Sequence, residues 1–203
     1  MAALALVSIV AWLAILVVGR AVLHRRAGGG EVLRIQDPRW SAAWWARVLG
    51  TAGLALLIGG AVADLLGFPP ISLLDQPALR AGGWIVAVLG ALLSFRGQAA
   101  MGDAWRGDVD PDARNRLVTD GPFRWVRNPI LVGTGMTSVG LALLVPNPLA
   151  ILGAALNIAS HEVQVRLVEE PYLRRVHGDA FRSYAQRVGR FVPGLGREPA
   201  EPR

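Results

Sequence analysis

Two short runs of this chain hold side chains whose types and spacing could do chemistry. One is Asp120 to Pro129, reading DGPFRWVRNP, which enters an apolar segment carrying Gly133 and Gly135. The other is the adjacent carboxylate pair Glu169-Glu170, at the end of a later apolar segment. Asn128 followed by Pro129 is a strong helix start. Such a start leaves unpaired N–H groups and partial positive charge, here at the edge of an apolar span. Glycines one turn inside it allow either close helix packing or close approach of a ligand. Paired carboxylates suit a cation with an amine and hydroxyls to bind. Their plainer reading is a solvated pair matched to Arg166, Arg174 and Arg175.

Other polar residues carry less. Asp108, Asp110 and Asp112 alternate, but without EF-hand spacing or a Gly-Lys-Ser phosphate loop they read as a solvated or ligand-touching loop. His24, His161 and His177 are too scattered for a metal site, and no metal is expected. His161, near the inner end of an apolar segment, is the histidine able to reach a site. Asp64 falls at the outer end of a span. Cysteine is absent, which excludes disulfides, thiolate metal sites and a cysteine nucleophile. All 21 basic residues are arginine, so no Schiff-base lysine exists.

The elements that must position these residues are membrane spans. Of 203 residues, 53% are apolar and 18% charged, the balance of an integral membrane protein. Five apolar spans are expected: Ala2–Gly19, Val48–Phe68, Leu79–Met101, Pro129–Val145 and Pro148–Val168. Trp40, Trp44 and Trp45 form an interfacial belt before the second, and Pro146-Asn147-Pro148 links the last two. The first has its positive charges after it, so it reads as a retained anchor rather than a signal peptide. Tyr172, Val176, Phe181, Tyr184 and Val188 recur at roughly helical spacing, predicting an amphipathic cytosolic helix that begins at Pro171.

Counting arginines between spans gives six, one, six and none, with eight in the tail. If the spans alternate, 20 of 21 lie on one side. The positive-inside rule then puts the N-terminus outside and the C-terminus in the cytosol, in an inner or plasma membrane. A net charge of +6 spread in this way points to anionic lipid rather than nucleic acid. The fold class is all-α integral membrane, one domain over residues 1–203. Three spans lie in 1–101, and a ligand-binding region with two spans lies in 102–193.

Two motifs together carry a resemblance. The first is Leu117-Val118-Thr119, Gly121, Arg127, Pro129 and Gly133. The second is Glu169, Glu170, Leu173 and Gly178, an aromatic-rich helix with Tyr184, and an ending of Arg190, Phe191 and Pro193. In both, the chain resembles the isoprenylcysteine carboxyl methyltransferase and phospholipid methyltransferase superfamily. The match runs from about Met101 to Pro193. The resemblance implies S-adenosylmethionine bound at the cytosolic face and a lipophilic acceptor drawn from the bilayer.

It further implies roles by position. Leu117 and Val118 would offer backbone groups to the cofactor, with Asn128 and Pro129 at the helix start beside it. Gly133 and Gly135 would permit close approach, and Glu169 would hold its polar groups. Arg106 and Asp110 would lie in the loop that covers it. Arg166 would face an acceptor carboxylate, and Glu170 would face an amine or take its proton. The acceptor side departs from the family. Asn128 stands where the family often has His, and Leu131 and Phe123 stand where the prenylcysteine enzymes have Tyr. Their substrate-carboxylate arginine aligns at Val165, one residue before Arg166. A carboxylate, amine or thiol acceptor is open on these residues. An NADPH-dependent membrane reductase of the sterol-reductase type and a non-catalytic lipid-binding protein are the alternatives.

Overall fold

Glycines seven residues apart set the packing. Helix α3 (Pro77–Met101) carries Gly83, Gly90 and Gly97 on one face, and α4 (Pro129–Leu144) answers with Gly133 and Gly140. A Cβ at Gly133 would lie 2.4 Å from the Gly90 carbonyl and 2.6 Å from the Ser94 amide, and one at Gly140 2.3 Å from the Gly83 carbonyl. The two backbones therefore touch, antiparallel. Helices α2 (Ala42–Leu65) and α5 (Pro148–Gln164) pair in the same manner: Gly53 meets Gly153 and Asn157, and Gly60 meets Ala150. Close approach through small residues is how helices associate where lipid removes the hydrophobic drive.

The computed structural model describes residues 2–14, 37–101 and 117–199. Among them regular structure is helical, apart from one isolated bridge between Val126 and Gly189. Helix α1 (Ala2–Ala14) packs on α2 through the buried Ala5 and Ile9. Helix α2 begins at an N-cap, Ser41, whose hydroxyl accepts from the Trp44 amide at 3.2 Å. Trp44 and Trp45 therefore stand inside its first turns and stack with Trp40 before it.

Polar groups point inward and large apolar ones outward. Ser94, Thr137, Ser138, Asn147, Asn157 and Ser160 are buried, while Trp84, Ile85, Leu89, Leu92 and Phe95 of α3 are exposed. The buried hydroxyls and amides are satisfied across helices: Ser94 donates to the Ile130 carbonyl at 2.9 Å and Ser138 to Asn157 Oδ1 at 3.0 Å. Asn147 accepts from the Ala150 amide to start α5 and donates to the Gly60 carbonyl at 2.8 Å. This polarity suits an apolar solvent. Among the described residues two helices, α2 and α3, are long and apolar enough to cross a membrane, whereas α4 and residues 3–12 of α1 are apolar but shorter.

One end of the bundle gathers the α2–α3 connection and the α4–α5 link. There the Ile71 amide donates to the Pro146 carbonyl, and Arg80 to the Leu144 carbonyl, both at 2.7 Å. The opposite end gathers the start of α2, the ends of α3 and α5, the start of α4 and the tail. Helix α5 does not stop before the tail. It continues through a π-helical turn (Val165–Glu169) into α6 (Glu170–Arg187). Pro171 thus lies within a continuous helical path rather than opening a separate one. A proline removes one amide donor and crowds the carbonyl four residues back. The wider π turn, in which the Glu170 amide reaches back to the Val165 carbonyl, accommodates both. Helix α6 then breaks at Gly178, whose φ of 49° and ψ of −123° only glycine adopts readily.

Candidate functional site

The two sequence motifs meet at the tail end of the bundle, and a charge cluster joins them. Glu170 is 2% exposed. Its Oε1 accepts from Arg127 Nη2 at 2.7 Å and Arg190 Nε at 2.8 Å, and its Oε2 accepts from Arg190 Nη2 at 2.7 Å. Arg174 adds a longer contact at 3.4 Å while also pairing with Glu198. Burial pushes the Glu170 carboxyl up, but hydrogen bonds and charge from Arg190 and Arg127 outweigh it and hold the group below the usual carboxylate range.

Arg127 ties in backbone as well. It is buried, and its guanidinium donates to the carbonyls of Ala185, Val188 and Gly196. Its own amide donates to the Gly189 carbonyl at 2.8 Å, beside the Val126–Gly189 bridge. Asn128 donates through its side chain to the Arg190 carbonyl at 3.1 Å, so that side chain ties down the tail rather than capping α4. Tyr184 donates to the Phe123 carbonyl at 2.7 Å, and burial pushes its hydroxyl up to about 12. The segment before α4 and the returning tail are therefore one framework.

Glu169 faces a different set of neighbours. The π register brings residues five apart together, and Gln164 donates to Glu169 Oε1 at 3.3 Å. Among the described residues no cation pairs with this half-buried carboxylate. Burial pushes it up, and the neighbouring Glu170 charge adds to that against the Gln164 bond. Adjacent glutamates thus differ sharply: the Glu170 charge is matched by guanidiniums, and Glu169 is a carboxyl pushed up by burial with a neutral partner.

The remaining predicted site residues divide. Leu117 packs on Phe181 and Tyr184, Val118 beside it is half-buried, and Pro129 is buried at the start of α4. Gly133 is filled by α3, so a ligand cannot approach it there; its freedom serves helix packing instead. Gly135 lies on another face, where a Cβ would sit 3.8 Å from His161 Nδ1 and Ile158 Cγ1, in ordinary contact. Arg166 is exposed and pairs with Glu162 one turn earlier, and Glu170, fully engaged by arginines, is not available as a proton sink. Arg106 and Asp110 lie outside the described residues. Arg127, Arg190 and Tyr184 stood in the motifs without a role. The signal that could have found them is charge: two motif arginines and one motif glutamate, all next to apolar segments, need partners.

The chain is similar to known proteins. The model of the phospholipid methyltransferase family matches residues 79–180, half of the chain. Protein-S-isoprenylcysteine O-methyltransferase B of Arabidopsis thaliana is 26% identical over 125 residues, 58% of this chain and 64% of that protein. Protein-S-isoprenylcysteine O-methyltransferase of Xenopus laevis is 33% identical over 88 residues, 41% of this chain and 30% of that protein. The Dictyostelium discoideum protein of the same name is 29% identical over 82 residues, 39% of this chain and 33% of that protein. The chain spans less than two thirds of the length of each of these relatives.

Proposed function

From the premise that the chain belongs to the phospholipid methyltransferase family, a family of membrane enzymes, we propose that it is an S-adenosylmethionine-dependent methyltransferase. It acts at the cytosolic face on a lipophilic or membrane-delivered acceptor. The observation that carries the cofactor assignment is Glu169, a half-buried carboxylate whose partner is the neutral Gln164. A buried anion left without a cation is costly, and a sulfonium cofactor bearing an amine and hydroxyls supplies what it lacks. At Gly135, toward the same end of the bundle, a Cβ would meet only His161 and Ile158 at 3.8 Å; Leu117 and Val118 are proposed to offer backbone groups to the cofactor. When bound, the cofactor supplies a methyl group already activated on sulfur. The protein then has to orient the acceptor and exclude water.

The geometry supports a division of labour. Glu169 holds the cofactor, while Glu170 with Arg127 and Arg190 fixes the walls. By the family resemblance Arg106 and Asp110 are further cofactor-binding candidates. The arrangement has five spans, with the N-terminus outside and α6 at the cytosolic face. The test is binding to purified protein in lipid nanodiscs. Glu169→Gln should weaken S-adenosylmethionine binding by about 10- to 100-fold, the weight of one charge-assisted hydrogen bond, without lowering the melting temperature. Normal binding by this variant, or binding of NADPH in place of S-adenosylmethionine, would defeat the proposal.

A further inference from the structure

We infer that His161 is the proton acceptor in this reaction, and that the methyl acceptor therefore carries a transferable proton, as an amine or thiol does. The inference rests on the methyltransferase reading above. His161 is half-buried on α5, and among the described residues its imidazole makes no hydrogen bond or ion pair. It lies against Gly135, at a point where α4 carries no side chain and the helices keep ordinary contact distance. One turn deeper, Asn157 on the same side of α5 is closed off by Ser138. Two turns toward the tail stands Glu169. A half-buried imidazole without a hydrogen-bond partner among the described residues thus sits between a sealed seam and the carboxylate proposed to hold the cofactor. Ionisable side chains at membrane depth are rare and usually functional.

The surrounding charges bear on the choice of acceptor. Helix α4 has no titratable residue from Pro129 to Leu144. The acid beside His161 is Glu162, which pairs outward with Arg166, and Arg47 of α2 pairs with Asp37. A carboxylate acceptor would want a guanidinium, but Arg127 and Arg190 are held by Glu170 and Arg166 by Glu162. In the transfer the acceptor lone pair forms the new bond to the methyl carbon. The carbon–sulfur bond breaks with its electron pair left on sulfur. The acceptor's N–H or S–H proton passes to the free imidazole nitrogen, and from there to water at the cytosolic mouth.

Two measurements test this on the full chain. Diethyl pyrocarbonate modification, read by peptide mass spectrometry with and without S-adenosylhomocysteine, should show His161 protected several-fold and His177 unchanged. His161→Asn should keep cofactor affinity, yet lower kcat on amine- or thiol-bearing amphiphiles about 100-fold, with KM little altered. His161 remaining fully reactive in protein that binds S-adenosylhomocysteine overturns the inference alone. So does an unchanged kcat in the variant, or wild-type activity confined to a prenylated cysteine carboxylate. Wild-type protein that binds neither S-adenosylmethionine nor its product overturns the methyltransferase reading, and this inference with it.

Discussion

Glu170 and Glu169 are chain neighbours with opposite environments, and pH separates them. Glu170 is held below its ordinary value, so its ionised form stabilises the fold. That stability is fully present above the unfolded-state value near 4.5 and is lost as pH falls through the lowered folded value. Melting temperature in detergent should therefore fall on acidification, and this loss should be absent in Glu170→Gln. At neutral pH Glu170→Gln should cost about 3–5 kcal/mol, because it leaves the Arg127 guanidinium buried without a counter-charge. Glu169 behaves in the opposite sense. Its raised value means that ionising it costs stability as pH rises through that value, until a bound cation offsets the cost. Cofactor affinity should accordingly strengthen as pH rises through the Glu169 titration, and Glu169→Gln should abolish that slope in calorimetric titrations. The sequence showed that two carboxylates were adjacent, but not that one would be neutralised. That depends on Arg127 and Arg190, which are 43 and 20 residues away.

At the scale of elements, helix positions were legible because apolar runs and prolines mark them. The expected fourth span, Pro129–Val145, differs from the observed α4 by one residue, and the third by two at its start. The second was expected six residues late, since Trp44 and Trp45 were counted as a belt before the helix when Ser41 caps it ahead of them. The role of Gly133 was not legible, because one glycine serves packing and ligand approach equally until its neighbour is known. The structure separates the two glycines, and substitution should follow. Gly133→Ala pushes a methyl into the Gly90 carbonyl and the Ser94 amide and should destabilise by about 1–3 kcal/mol through overpacking. Gly82→Ala, where nothing lies within 4 Å, should be neutral or stabilise by up to about 1 kcal/mol. Equal melting shifts for the two would mean that α3 and α4 do not meet at these glycines. The π turn is equally testable. Inserting one alanine after Leu167 would add a further residue to the turn and rotate Glu170 by roughly 100° away from Arg127. Both the acid-sensitive melting step and cofactor binding should then disappear together.

For the whole molecule, charge and packing assign the same end to the site. Among the described residues, the helix ends that meet the tail hold most of the arginines, and the opposite end carries Arg80, held by Asp75 and the Leu144 carbonyl. An arginine-rich face toward anionic lipid and a cationic cofactor delivered from the cytosol require the same orientation. The absence of cysteine makes this directly measurable, since any introduced thiol is the only one in the chain. Leu73 and Val192 lie at opposite ends and are both exposed, at 76% and 51%. In intact cells a membrane-impermeant maleimide should label Leu73→Cys and spare Val192→Cys, and lysis should make the second reactive. The reverse pattern would put the site outside the cell, where neither the arginine count nor a cytosolic methyl donor could account for it.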